Sequence, residues 1–304
     1  MNTAKSRYRV YLHALPLLTQ LSLAACSSTQ AETAPHASQT LARVHHASGR
    51  VVAVGDLHGD LDVTRRVLRA AGAIDSADHW VGGKLVLVQT GDTIDRGDDD
   101  RAVIDLLERL RVEARKAGGE LVAMSGNHEI MNVAGDLRYV SQASAAAFEQ
   151  GRAQAFAPGG PYARILATWP VITKVDRSVF VHGGVLLQHV RYGIDRINDE
   201  TAAWMRGERT APAILMQDDA PVWTRLYSAA ESELPVESCA QLEQVLGELG
   251  ADRMIIGHTP QAHGIDGACG DRVWRIDTGL SHHYGGPLQW LEIKAGRARV
   301  GGDK

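Results

Sequence analysis

Five times in this chain a short aliphatic run ends on glycine and on residues able to ligate a metal. Val51-Val52-Ala53-Val54 leads into Gly55-Asp56-Leu57-His58-Gly59-Asp60, and Leu85-Val86-Leu87-Val88 leads, after Gln89-Thr90, into Gly91-Asp92-Thr93-Ile94-Asp95-Arg96-Gly97. Leu121-Val122-Ala123-Met124 leads, after Ser125, into Gly126-Asn127-His128-Glu129. Val179-Phe180-Val181 runs into His182-Gly183-Gly184, and Met254-Ile255-Ile256 into Gly257-His258-Thr259-Pro260. Carboxylate, amide oxygen and imidazole without thiolate suit a hard or borderline divalent cation. Asp56, His58, Asp92, Asn127, His182 and His258 suffice for two such ions if one aspartate bridges them. Two cations ~3.5–4 Å apart ionise a shared water near neutral pH and clamp phosphoryl oxygens. Arg96, in a loop closed by glycine, carries the planar fork that binds phosphate bidentately. Together these residues spell metal-assisted phosphoester hydrolysis.

Such ligands need rigid elements beneath them. Continuous apolar runs of this length fit strands buried on both faces. Helical patterns separate the first three: Leu61, Val67, Leu68 and Ala71 share a face before Gly72, as do Val103, Leu106, Leu107, Leu110 and Ala114 before Gly118-Gly119. Open α/β sheets bind at strand ends, where these clusters stand. Taken singly, each Asp or Asn reads as a turn or cap residue, and His182 or His258 as a core histidine. Five clusters at strand ends outweigh that reading. The alanine-rich stretch 135–167 is expected to be helical and 186–235 irregular, both capping the cleft. Asp98-Asp99-Asp100 reads as a charge run before a helix.

The 304 residues, 44% hydrophobic and 22% charged, describe a globular chain rather than a disordered one. A net charge of −4 argues against nucleic acid as partner. Lys5, Arg7 and Arg9 precede an apolar run ending in Leu23-Ala24-Ala25-Cys26, the parts of a secretory signal, too short for a transmembrane helix. Cys26 resembles the lipidated cysteine of a bacterial lipobox. The expected organisation is a signal peptide over 1–25, a flexible Ser/Thr/Ala/Gln-rich tether over 26–48 and one domain over 49–300. His36, His45 and His46 read as solvated tether residues. The expected address is the cell envelope or periplasm, with membrane attachment through lipid.

The motifs at 55–60, 91–97 and 126–129 resemble those of the phosphoprotein-phosphatase branch of calcineurin-like metallophosphoesterases. The likeness runs from about Arg50 to Trp290. Pro260 in Gly-His-Thr-Pro stands where generic metallophosphoesterases carry a second histidine. Asp95–Asp99, Ile130-Met131-Asn132 and Asp277–Ser281 look most like bacterial Shewanella-like phosphatases. The resemblance implies an α/β fold, a β-sandwich flanked by helices with a dinuclear site at the strand ends. It implies Asp56, His58 and Asp92 on one metal and Asp92, Asn127, His182 and His258 on the other, with manganese, iron or zinc as the ions. It further implies His128 as general acid oriented by Asp95, Arg96 as phosphate clamp, and a second clamp, for which Arg225 is the candidate. A metal-bridging hydroxide would attack a phosphorylated protein or small phosphomonoester. Ser125 and the Ser281–Gly285 segment depart from the eukaryotic serine/threonine enzymes. Asp98 and Glu129 depart from diadenosine tetraphosphate hydrolases, so a nucleotide hydrolase is the secondary alternative, beside a lipoprotein that binds phospho-ligands without turnover.

With Cys26 assigned to lipid, Cys239 and Cys269 remain in a chain expected to fold outside the cytoplasm, where a disulfide between them is permitted. Two unpaired thiols are the other reading.

Overall fold

The computed structural model describes residues 44–228 and 233–302. The signal segment 1–25, Cys26 and the tether as far as residue 43 lie outside the described residues. The chain runs through β1 (Val44–His45), β2 (Arg50–Val54), α1 (Leu61–Ala70), β3 (Val86–Gln89), α2 (Asp100–Lys116), β4 (Glu120–Ala123) and α3 (Asn127–Val133). Three short helices follow, α4 (Gln142–Ala146), α5 (Arg152–Phe156) and α6 (Pro161–Leu166), before β5 (Ile172–Val175) and β6 (Ser178–Val181). Helices α7 (Leu187–Tyr192), α8 (Ile194–Met205) and α9 (Val236–Leu249) then precede β7 (Arg253–Ile256), β8 (Asp266–Ala268), β9 (Val273–Arg275), β10 (Gln289–Lys294) and β11 (Arg297–Gly302).

The strands form two mixed sheets, ordered β11-β10-β2-β3-β4 and β1-β5-β6-β7-β9-β8. Alternation along the strands divides the core. Val51, Ala53, Val86, Val88 and Val122 of the first sheet pack in one cluster with Val175, Phe180 and Ile255 of the second. The opposite faces, with Val52, Leu87, Leu121, Val179 and Met254, join the helical cluster that holds Val67, Leu107, Leu110, Leu242 and Val245. This is an α/β sandwich with helices outside, and central strands such as β2, β3 and β6 are apolar on both sides because both sides are covered. Asp60 caps α1 by accepting from Val63 N at 3.0 Å, a contact worth about 1 kcal/mol. Gly72, in the left-handed region at φ 67°, turns the chain just after α1.

Four expectations change. The folded part begins before residue 49, because β1 pairs with β5 and His45 is buried, its Nδ1 at 2.7 Å from Glu120 Oε2. His46 is exposed, as a tether residue would be. The stretch 186–235 carries α7 and α8 rather than irregular chain alone, and 135–167 is broken into three short helices at Gly151 and Gly159-Gly160. Asp100 is buried and accepts from Asp95 N at 2.9 Å, so it is more than a charge at a helix start. Cys239, in α9, is joined to Cys269, which sits in the turn between β8 and β9, with Cα atoms 5.4 Å apart. Among the described residues no helix is long and apolar enough to cross a membrane.

Candidate metal centre

Parallel pairing brings the clusters together. Val54, Gln89 and Ala123 stand in register at the ends of β2, β3 and β4, and Val181, Ile256 and Arg275 at the ends of β6, β7 and β9. Asp56, Asp92 and Asn127 therefore leave one sheet where His182, His258 and Asp277 leave the other. The first two loops are laced by backbone: Leu57 N and His58 N both donate to Asp92 O at 3.0 Å, and Gly97 N donates to His58 O at 3.0 Å. His58, Asp92, Asp95, Arg96 and His258 all take the left-handed conformation, φ 48° to 73°. Each such non-glycine residue costs of order 1–3 kcal/mol and persists where surrounding bonds hold it, typically at functional sites. Two glycines allow the crowding. A Cβ on Gly126 would stand 2.3 Å from Asp92 Oδ1, and one on Gly257 would stand 2.4 Å from Asp56 Oδ1.

All six expected ligands are buried, and two groups with mutually close ligand atoms share Asp92: His58, Asp92 and His128, and Asp92, His182 and His258. Backbone carbonyls set the ring tautomers. His58 Nδ1–H donates to Ile94 O at 3.2 Å and His182 Nδ1–H to Thr90 O at 3.0 Å, while His258 Nε2–H donates to Trp223 O at 3.1 Å. The other nitrogen of each ring is thus left with a lone pair, the second contact that commonly fixes a metal-ligating histidine. His182 Nε2 then faces Asn127 Oδ1 at 2.9 Å and Asp92 Oδ2 at 3.2 Å. Acceptors converge there with no proton to share, and a cation satisfies such an arrangement. Asp56 holds His258 N through both oxygens at 3.3 and 3.2 Å.

His128 differs from these rings. Its Nδ1–H donates to a carboxylate, Asp95 Oδ2 at 2.7 Å, while Nε2 stands 3.8 Å from Asp92 Oδ2. A carboxylate partner stabilises the doubly protonated ring, which suits a proton donor better than a ligand. Burial works to lower its pKa, but Asp92 and the Asp95 bond outweigh it and raise it. Burial instead pulls His58 down to about 4 and, with the neighbouring His182, pulls His258 down to about 3.

The acids complete the argument for cations. Burial, with Asp277 and Asp92 nearby, pushes the Asp56 carboxyl well up, and burial brings Asp277 to about 6. Burial and the Asp92 charge bring Glu129 to about 7. Burial presses Asp92 upward too, yet the surrounding His182, His128 and His58 hold it well below the ordinary range. Among the described residues no lysine or arginine forms an ion pair with Asp56 or Asp92. Buried carboxylates that repel one another and have only imidazoles as partners are resolved by metal ions, and the oxygen and imidazole donors fit divalent ones.

Both expected arginines border this cluster. Arg96 lies over the Tyr139 ring, 3.9 Å from Cζ to centroid, and its buried Nε has no hydrogen-bond partner. Arg225 is exposed, its Nη1 donating to His258 O at 3.1 Å and Thr259 Oγ1 at 2.6 Å. Aromatic rings stand beside the ligands: Tyr139 is 5.1 Å from His128, Tyr284 5.3 Å from His58, and Trp223 5.9 Å from His258. Asp60 Oδ2 accepts from His282 N and Nδ1 at 2.8 and 2.6 Å, tethering the exposed loop that presents Tyr284. His263 and His283 are exposed.

Several contributors were not singled out from sequence. Glu129 accepts from Gly126 N, Asp92 N and Thr93 N at 2.7–2.9 Å, binding the second loop to the third. Its place in Gly-Asn-His-Glu was the available signal. Asn132 Nδ2 donates to both Asp95 oxygens at 3.0 Å, and its spacing of four from His128 on a helix could have suggested that. Arg152, 57 residues from the Asp95 it contacts, carried no local signal.

The family model for calcineurin-like phosphoesterases matches residues 49–262. Shewanella-like protein phosphatase 2 of Arabidopsis thaliana is 38% identical, over 76% of this chain and 71% of its own length. Shewanella-like protein phosphatase 1 of Plasmodium berghei is 31% identical, over 81% of this chain and 72% of its own. Among solved structures, the cold-active protein-tyrosine phosphatase of a psychrophilic Shewanella superposes with a TM-score of 0.74 at 25% identity, over 86% of this chain and 80% of that one.

Proposed function

The chain belongs to the calcineurin-like phosphoesterase family and is a phosphomonoester hydrolase, and from that premise we propose that it removes phosphate from tyrosine side chains of proteins. The observation that carries the catalytic part is Asp92, shared by two buried ligand groups. Asp56, His58 and Asp92 would hold one divalent ion and Asp92, Asn127, His182 and His258 a second, manganese, iron and zinc all suiting these donors. Ions held there supply Lewis acidity toward phosphoryl oxygen and the means to ionise water near neutral pH. The remaining work falls to side chains. Arg96 and Arg225, which border the cluster, would orient a phosphoryl group through their guanidinium groups. His128 keeps Nδ1–H on Asp95 and presents Nε2 to the cluster, where it can give a proton to the departing oxygen.

Tyr139, Tyr284 and Trp223, standing beside the site histidines, support an aromatic leaving group, which such rings would pack against edge-to-face or offset. The protein-tyrosine phosphatase fold neighbour points the same way. The test compares phosphotyrosine, phosphoserine and phosphothreonine peptides with added manganese. Higher kcat/KM on phosphotyrosine supports the reading, and a preference for phosphoserine or phosphothreonine would reject it. Anchoring through Cys26 in the cell envelope is part of the same proposal. It is supported by the signal-like run before Cys26 and by the Cys239–Cys269 bond, which suits an oxidising compartment. Partition of wild type, but not Cys26→Ser, into detergent would support it; equal partition would reject it.

A further inference from the structure

Arg152 is buried, with no contact to the metal ligands, yet every nitrogen of its guanidinium is committed around the Asp95–His128 pair. Nη2 donates to Asp95 Oδ1 at 3.2 Å, Nε to Asn132 Oδ1 at 2.8 Å, and Nη1 to Ser144 Oγ at 3.0 Å while lying 2.7 Å from Asp100 Oδ2. The Phe156 and Phe148 rings, themselves edge-to-face, pack against the guanidinium with centroids 4.1 and 4.9 Å from Cζ. The consequence for Asn132 is directional. With Oδ1 accepting from Arg152, its Nδ2 must turn to Asp95, where it donates to both oxygens, and to His128 O at 3.0 Å. Asp95 Oδ1 thereby accepts from Arg152 and Asn132, while Oδ2 accepts from Asn132 and, more closely, from His128 Nδ1–H at 2.7 Å.

A buried arginine is a demanding way to fill space, since a charge taken out of water is costly unless every donor is met. Packing alone would be served by an apolar side chain. A planar fork able to hold two carboxylates and an amide at fixed angles is served by arginine and not by lysine. We infer that Arg152 is a positioning residue for proton donation: it locks Asp95 and Asn132 so that His128 keeps one tautomer and one ring orientation, with Nε2 toward the cluster. The segment 135–167 thus buttresses the donor from behind, in addition to bordering the cleft through Tyr139.

This inference rests on the reading of His128 as proton donor. The test uses Arg152→Lys and Arg152→Met, alone and with His128→Ala, on para-nitrophenyl phosphate and on an alkyl phosphate such as β-glycerophosphate. Loss of alignment should lower kcat on the alkyl ester by about tenfold or more, part of the ~10²–10⁴-fold that general acids supply. The loss on para-nitrophenyl phosphate, whose leaving group needs little protonation, should be smaller, with KM nearly unchanged. In the His128→Ala background Arg152 substitutions should add nothing further. Independently of activity, proton NMR of the metal-free protein should show a protected His128 Nδ1–H signal in wild type that exchanges out in Arg152→Met. Equal losses on both esters, full additivity with His128→Ala, or a retained Nδ1–H signal would overturn the inference. If wild type hydrolyses neither ester with any divalent metal, the proposed function fails, and the NMR comparison still decides whether Arg152 holds the pair. Arg152→Lys, which keeps the charge, covers the case in which Arg152→Met does not fold.

Discussion

The sheet of β2, β3 and β4 delivers site residues in runs, whereas the sheet of β6, β7 and β9 delivers them one at a time. On the first side Asp56 with His58, Asp92 with Asp95 and Arg96, and Asn127 with His128 and Glu129 occupy three consecutive loops that bond to one another through Asp92 O and the Glu129 carboxylate. On the second side His182, His258 and Asp277 depend on chain far from them. Gly183 N and Gly184 N donate to Pro221 O at 2.9 Å, and the His258 ring is set by Trp223 O at 3.1 Å. The first side is a locally specified machine, and the second is an anvil held by the 213–228 segment and by α9. Outside the ligands themselves, substitutions on the first side should therefore cost chemistry, while substitutions on the second should cost stability.

Removing what both sides share should have the largest effect. Asp92→Asn takes away the one carboxylate common to both ligand groups. Activity should fall below detection, and bound metal, read by elemental mass spectrometry, should drop at both positions. Retention of two metals with only a modest loss of rate would mean that the two sides do not share a ligand.

His128→Ala tests the first side alone. It should retain metal and lower kcat by about 10²–10⁴-fold on poor leaving groups, and less on para-nitrophenyl phosphate. Loss of metal in this variant would place His128 among the ligands and remove the distinction drawn from its carboxylate partner.

The second side should respond in stability. Cys239→Ser unties α9 from the β8–β9 turn. Unfolding in denaturant should show a loss of about 3–4 kcal/mol on a chain-entropy view of the closed loop, with kcat nearly unchanged. A large fall in kcat would show that this edge reaches the chemistry.

A smaller effect is expected from His189, which is buried and accepts from Leu186 N at 3.0 Å. Burial lowers its pKa to about 4 from 6.5. Above pH ~6.5 the ring is neutral whether folded or not, so its contribution is fully present. As pH falls from ~6.5 to about 4 the unfolded chain takes up a proton that the folded one refuses, and roughly 2–3 kcal/mol is lost. His189→Gln should flatten that acid limb in thermal unfolding of the metal-free protein, and an unchanged limb would assign it to other groups.

The same contrast explains which parts were legible. Asp56, His58, Asp92, Asn127 and His128 announce themselves because a parallel strand end, its glycine and its ligand are neighbours in sequence. His182 and His258 were found by the same device, an apolar run ending on histidine. The helices α1 and α2 were readable from their apolar faces. The helices α7 and α8 escape such a reading because α7 is short and buries His189, and the buried face of α8 mixes Asn198, Glu200 and Thr201 with apolar residues, leaving no clear apolar period.

What the sequence determined by itself was the donor chemistry, the strand ends that bear it and the family it resembles, because these rest on residues within a few positions of each other. Only the tertiary structure decided that the ligand histidines answer to backbone carbonyls, that the Glu129 carboxylate ties the second loop to the third, and that His45 belongs to the fold. The place of Arg152 behind Asp95 was decided there too. Each of these depends on a hydrogen bond or ion pair between residues tens to hundreds of positions apart. Such contacts are set by how two sheets and their helices pack, and no local pattern of apolar and polar residues encodes them.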